Sequence, residues 1–318
     1  MKGCLTLPTH PLFQPPMLAI LREISVTCFF TSYLVVLVLE LLRLLGRIPG
    51  RGLAVIVMMA IGLFTHICYL VLQAADGGPS NVGLLATWSE WSHLLALGLA
   101  VCFLVLHLRR PDTIISFFFL PAVLATIGLG VFVRDLEPFS RTEAVGVWGA
   151  VHGLAMMTGA GAVLIGFLAG VMYLTQARRL KQKKAGGSLL RLPTLETLGR
   201  MNRRCLVTST IAVAIGVIAG MVMNLNRSGQ IGWTEGGVLF SWVLFLWLVG
   251  TTALEFFYAP ASRGRKAVYL TLASLGFLIL AVYSVLRGSH GQPIEDVSQV
   301  QLDRPAIVVT VDDRETRS

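Results

Sequence analysis

Charge is scarce in this chain. Asp, Glu, Lys and Arg make up 14% of the 318 residues, and hydrophobic residues make up 55%. A soluble globular domain carries about 25% charged residues. A water-facing surface for a domain of this size is therefore excluded, and the mean hydropathy of +0.73 points to a bilayer as solvent. Cysteine is also sparse. Cys4, Cys28, Cys68, Cys102 and Cys205 form no C-x-x-C pair, so neither a thiolate metal centre nor a disulfide framework is indicated. They read as small hydrophobes. No hydrolytic or redox motif is present. Acidic residues are fewer than basic ones, 17 against 26. The excess lies in short links between apolar runs, not on one amphipathic face. That pattern argues against nucleic acid as a partner and matches the orientation signal of a membrane protein.

What is abundant is apolar sequence. Eight runs occur, at roughly 25–42, 53–74, 91–108, 114–133, 147–175, 205–225, 237–259 and 267–287, each long enough to cross the hydrocarbon core as a helix. Basic residues concentrate in alternate links: Arg43, Arg47 and Arg51; Arg109 and Arg110; the nine between Arg178 and Arg204; and Arg263, Arg265 and Lys266. The positive-inside rule puts these links in the cytoplasm and both termini on the non-cytoplasmic side. The expected fold is an all-α, polytopic membrane bundle of about eight transmembrane helices. Residues 1–22, with Pro8, Pro11, Pro15 and Pro16, form an irregular lead-in, expected to be uncleaved. Residues 23–290 form the bundle, and 291–318 a polar extracytoplasmic tail. Glycines four apart, Gly166–Gly170 and Gly216–Gly220, allow close helix packing. The glycine-rich fifth span is expected to be central.

Ionisable groups inside spans mark candidate sites because hydrocarbon makes them costly. His66 lies in the second span, nearer its outer end; His152 lies in the outer turns of the fifth; His290 follows the eighth. This topology puts His152 and His290 on one face. Two neutral imidazoles there suit axial ligation of a haem iron or a metal ion; helix-end histidines are also ordinary interface residues. His93 and His107, near opposite ends of the third span, read as interfacial. Glu40 and Glu255 are expected to snorkel or pair with basic neighbours, Glu255 with Arg263, Arg265 or Lys266. Trp148 and Trp233 suit an aromatic belt. Trp242 and Trp247 lie deeper, and with Trp233 they offer an apolar platform for a ring-shaped ligand.

The stretch Trp148–His290 resembles the cytochrome c assembly family, haem-handling membrane proteins with CcsA/ResC-like and HemX-like members. The resemblance is carried by several segments. Trp148-Gly149-Ala150-Val151-His152-Gly153 opens the glycine-rich span, Tyr173-Leu174 precedes a basic stretch, and Leu192-Pro193-Thr194-Leu195-Glu196-Thr197-Leu198 precedes the sixth span. Gly264-Arg265-Lys266 and Ser289-His290 flank the eighth. The family-like core is thus 148–290. The resemblance implies a multi-pass protein of the inner (plasma) membrane. Such a protein presents haem at the outer face to apocytochrome c, with membrane lipid and a maturation partner protein around it. It implies haem as cofactor, with His152 and His290 as external iron ligands, Trp233 and Trp242 beside the porphyrin, and His66 as an in-membrane histidine. Gly232-Trp233-Thr234-Glu235-Gly236 keeps a Gly-Trp pair of the family's tryptophan-rich segment and little else. Leu254–Tyr258 has no histidine where relatives often carry one. These departures favour, as the alternative, a HemX-like accessory or regulatory protein without ligase activity. A small-molecule transporter would call for internal repeats and broken helices, and none is evident.

Overall fold

A computed structural model describes residues 25–43, 50–75, 85–109, 113–136, 146–182, 192–229, 233, 236–257 and 260–287. The chain is an all-α bundle. The described residues form α1 (Val26–Leu42), α2 (Arg51–Ala75), α3 (Trp88–Arg109), α4 (Ser116–Phe132), α5 (Val147–Lys181), α6 (Leu195–Ser228), α7 (Gly236–Phe257) and α8 (Pro260–Arg287). Five of them, α2, α3, α5, α6 and α7, are long and apolar enough to cross a membrane. The apolar parts of the other three, Val26–Leu42, Ser116–Phe132 and Val268–Ser284, are shorter. The architecture is thus a polytopic membrane bundle with five clear spans, where the hydropathy reading gives eight. At 17 residues each, α1 and α4 rise about 25 Å, just under the thickness of the hydrocarbon core.

Two links read as loops are largely helix. Helix α6 begins ten residues before its apolar run. Thr194 caps it by accepting from the Thr197 N–H at 3.3 Å, and Glu196 pairs with Arg200 one turn on, at 2.9 Å. Helix α8 begins at Pro260, where the fixed φ of proline suits the first turn, so Arg263, Arg265 and Lys266 are helical. At its far end α6 closes on Gly229, whose φ of 68° and N–H bond to the Leu225 carbonyl form a left-handed cap.

The helices alternate in direction, as contacts at the two ends show. At one end, Glu40 of α1 pairs with Arg51 at the start of α2 and accepts from Ser116 Oγ at the start of α4, 2.7 Å away. This fulfils the expected pairing of Glu40. It also buries the carboxylate completely instead of leaving it at an interface. The described residues include no side chains of Arg263, Arg265 or Lys266, the predicted partners of Glu255. At the opposite end, Trp91 of α3 lies against Gly153 of α5, and Gly236 of α7 against Ser284 of α8.

Two cores result. One joins α1–α4 to α5 through Phe29, Tyr33, Met59, Phe103, Phe119 and Met172. The other joins α5–α8 through Val163, Leu206, Val213, Leu244, Leu248 and Ala281. Helix α5 contributes to both, as its glycines suggest. Gly159 seats Val213 of α6, Gly161 seats Leu95 of α3, and Gly170 seats Val268 and Leu272 of α8. With no hydrophobic drive between helices in lipid, such close approach supplies the packing contact. Cys28, Cys68, Cys102 and Cys205 are unpaired thiols, and Cys28 is exposed.

Candidate functional site

The sequence-predicted residues divide between the two cores. His152 sits near the start of α5, facing α6. Its Nδ1 lies 2.7 Å from the Gly216 carbonyl oxygen. A carbonyl only accepts, so Nδ1 carries a proton, and in the neutral form of the ring the lone pair is on Nε2. This contact depends on glycine. A Cβ at Gly220 would stand 2.8 Å from His152 Nδ1, and one at Gly216 would stand 2.6 Å from Met156 Sδ. The glycine pair of α6 therefore makes the slot in which the ring lies and exposes the carbonyl that orients it.

Trp233 lies at the same end of the bundle, in the turn between α6 and α7, and is 57% exposed. Its ring centre is 6.1 Å from that of Trp242, tilted by 31°. Trp242 is half-buried, stacks edge-on to Phe245, and its Nε1 has no hydrogen-bond partner among the described residues. Trp247, deeper in α7, donates instead to Ser274 Oγ of α8 at 3.1 Å. The structure thus brings Trp233 and Trp242 together and sets them at the end of the bundle that carries His152. His290 lies outside the described residues. The described part of α8 reaches this same end, where Gly236 meets Ser284.

His66 lies elsewhere, in the α1–α4 core. It is fully buried, its ring stacks on Phe29 at 4.0 Å with planes 2° apart, and its Nδ1 is 3.3 Å from the Tyr33 hydroxyl. Beside it is His93 of α3, with ring centres 6.3 Å apart and planes at 86°. His93 is 1% exposed, which corrects the interfacial reading; His107 is likewise buried, packed on Phe103. Sequence reasoning missed the pairing of His93 with His66, although one local signal was available. Thr87-Trp88-Ser89-Glu90 is a capping box: Thr87 Oγ1 accepts from the Glu90 N–H, and Glu90 Oε2 accepts from the Thr87 N–H, each at 3.2 Å. That motif starts α3 at Trp88 and places His93 in its second turn, opposite the same end of α2 that carries His66. Ser89, one turn earlier on α3, accepts through its carbonyl from His93 Nδ1 at 2.8 Å. Gly130 of α4 leaves room for the ring, since a Cβ there would stand 3.0 Å from His93 Cε1.

Among the described residues, no group of three or more His, Cys, Asp or Glu side chains gathers to hold a metal ion. At the outer setting the described donor is the imidazole of His152. Such a donor set suits haem iron, whose remaining ligands come from the porphyrin.

No curated protein and no solved structure matches the chain. Comparison with known families matches residues 85–290 to the family described as Cytochrome C assembly protein. The match covers well over half of the chain. It starts at the capping box of α3 and ends at His290, so it takes in α3 and α4 as well as the 148–290 stretch. The chain belongs to the cytochrome c assembly protein family, as a multi-pass membrane protein of a kind consistent with haem handling.

Proposed function

We propose that the protein binds haem at the outer face of the inner membrane, through His152 and His290, and presents it to apocytochrome c together with a maturation partner. The observation that carries this reading is the state of His152. Its Nδ1–H is committed to the Gly216 carbonyl, which fixes the tautomer and orientation that an axial imidazole needs. Trp233 and Trp242 supply an apolar surface at the same end, and the Trp242 indole N–H is a donor suited to a haem propionate. His290 is six residues beyond Ser284, which packs at that end against Gly236. The reading takes all eight helices as spans and both termini as non-cytoplasmic. The basic links support that orientation. It also takes residues 291–318 as an external tail.

The alternative, a HemX-like accessory or regulatory membrane protein without ligase activity, is favoured by one feature: Gly232-Trp233-Thr234-Glu235-Gly236 keeps little of the tryptophan-rich segment. Purified protein from haem-replete cells should show a Soret band that falls sharply in His152→Ala. Cytochrome c maturation in cells lacking the native chain then separates the two forms of the reading. Maturation is lost without it under the first and merely reduced under the second. Absence of haem from the folded wild type would defeat the first and leave the second. Single cysteines at positions 181 and 227 test the topology. They should label from opposite sides of the membrane; labelling from one side contradicts eight spans.

A further inference from the structure

We propose that Trp91 of α3 is a positioning residue for His152: it bears on Gly153 and keeps the outer turns of α5 against α6, so that the His152 Nδ1–H meets the Gly216 carbonyl. The consequence for haem rests on the proposed function; the orientation of the ring does not. Successive residues of a helix diverge by about 100°, so His152 and Gly153 open toward different neighbours. His152, and Met156 one turn on, face the Gly216–Gly220 pair of α6. Gly153 faces α3, where the six-membered edge of the Trp91 indole lies directly on it. A Cβ at Gly153 would stand 2.5 Å from Trp91 Cη2. The outer turns of α5 are thus held between a flat side chain on one flank and a glycine slot on the other.

Trp91 is itself fixed. Its Nε1–H donates to the Leu85 carbonyl at 2.9 Å. Leu85 has a φ of 60°, the one positive value outside glycine among the described residues. A leucine keeps that left-handed backbone only where its surroundings impose it. Two residues on, the capping box of Thr87 and Glu90 ties the same turn to the start of α3. The turn therefore presents a carbonyl to the indole and stops the ring from swinging off Gly153. On the other flanks α5 is open at this end: Val147, Trp148 and Ala150 are exposed. Leu95 of α3 seats on α5 about two turns deeper, at Gly161. The His152 contact needs close approach. At 2.7 Å it is a hydrogen bond, and it is lost once α5 and α6 part by about an ångström. Removing the indole leaves a space into which α5 can move by that much.

The test is nitrogen NMR of isotope-labelled histidines in the full chain, purified in detergent from haem-depleted cells. It is run at alkaline pH, where imidazoles are neutral. The wild type should show His152, assigned by its loss in His152→Gln, as a single Nδ1–H tautomer. Trp91→Ala should give a mixture of both tautomers, and Trp91→Phe, which keeps a ring over Gly153, a smaller share of the second. Glu40→Ala, which loosens the opposite end of the bundle, should leave the tautomer unchanged and so separates positioning from general destabilisation. Haem affinity should fall about tenfold in Trp91→Ala. It should fall no further than in Gly220→Ala when the two are combined, since both act through one contact. An unchanged single tautomer in folded Trp91→Ala, or in Trp91→Leu where the alanine variant does not fold, overturns the proposal. Fully additive losses in the double variant overturn it too. A shifted tautomer in a protein that binds no haem upholds the role of Trp91 and defeats the haem reading alone.

Discussion

The two halves of the bundle hold His66 and His152 by different means. Around His66 in α1–α4, side chains do the work. Phe29 stacks on His66, the Tyr33 hydroxyl faces its Nδ1, and at the far end Glu40, Arg51 and Ser116 tie three helices into one polar knot. In α5–α8, the backbone does it. Glycines let α6 approach α5, and an exposed carbonyl at Gly216 orients His152. The first arrangement is sensitive to removal of a group, the second to addition of one. A site built on side chains fails when a partner is deleted, and a site built on a glycine slot fails when a methyl group is inserted.

The largest effect should come from breaking the knot. Glu40→Ala leaves Arg51 and Ser116 without their shared acceptor in a buried setting, and removing one partner of such a pair costs about 3 kcal/mol or more. Thermal unfolding in detergent should show that loss, with Glu40→Gln intermediate because its amide oxygen still accepts. Haem bound by the surviving folded fraction should have an unchanged spectrum. A shifted spectrum would mean that the two halves are not separate.

Insertion into the slot comes next. Gly220→Ala puts a methyl group 2.8 Å from His152 Nδ1 and displaces the ring from the Gly216 carbonyl. Loss of such an orienting contact weakens ligand binding by roughly ten- to a hundredfold. Haem titration of the purified variant should show it with little change in unfolding temperature. Equal haem affinity in Gly220→Ala and wild type would separate ring orientation from binding.

The smallest effect is expected at Thr194. Replacing this N-cap by Ala removes the bond from the Thr197 N–H and costs about 1 kcal/mol. Hydrogen exchange should speed up in the first turn of α6 and stay unchanged at Gly216 and beyond. Faster exchange along the whole helix would show that the 195–204 extension and the membrane-embedded part act as one unit.

Hydropathy alone made the eight described helices legible as apolar runs, five of them as clear spans. Boundaries were less legible. The extension of α6 through Glu196, Arg200 and Arg203 is set by a cap and ion pairing, which a hydropathy window does not register. At the candidate sites, the placement of His152 followed from its position in the fifth span, but its tautomer did not. A carbonyl 64 residues away in sequence fixes it. His93 was misread because its depth was judged within its own helix. Its burial comes from α1, α2 and α4, through Phe29, His66 and the room left by Gly130.

The central claim is that one haem iron sits between His152 and His290. Resonance Raman spectroscopy of ferric and ferrous haem in the purified protein tests it most directly. The account predicts six-coordinate, low-spin haem with two imidazole ligands in the wild type. His152→Gly and His290→Gly should each become five-coordinate and high-spin, and added imidazole should restore the wild-type pattern in both. Low-spin bis-imidazole haem persisting in either variant would contradict the claim.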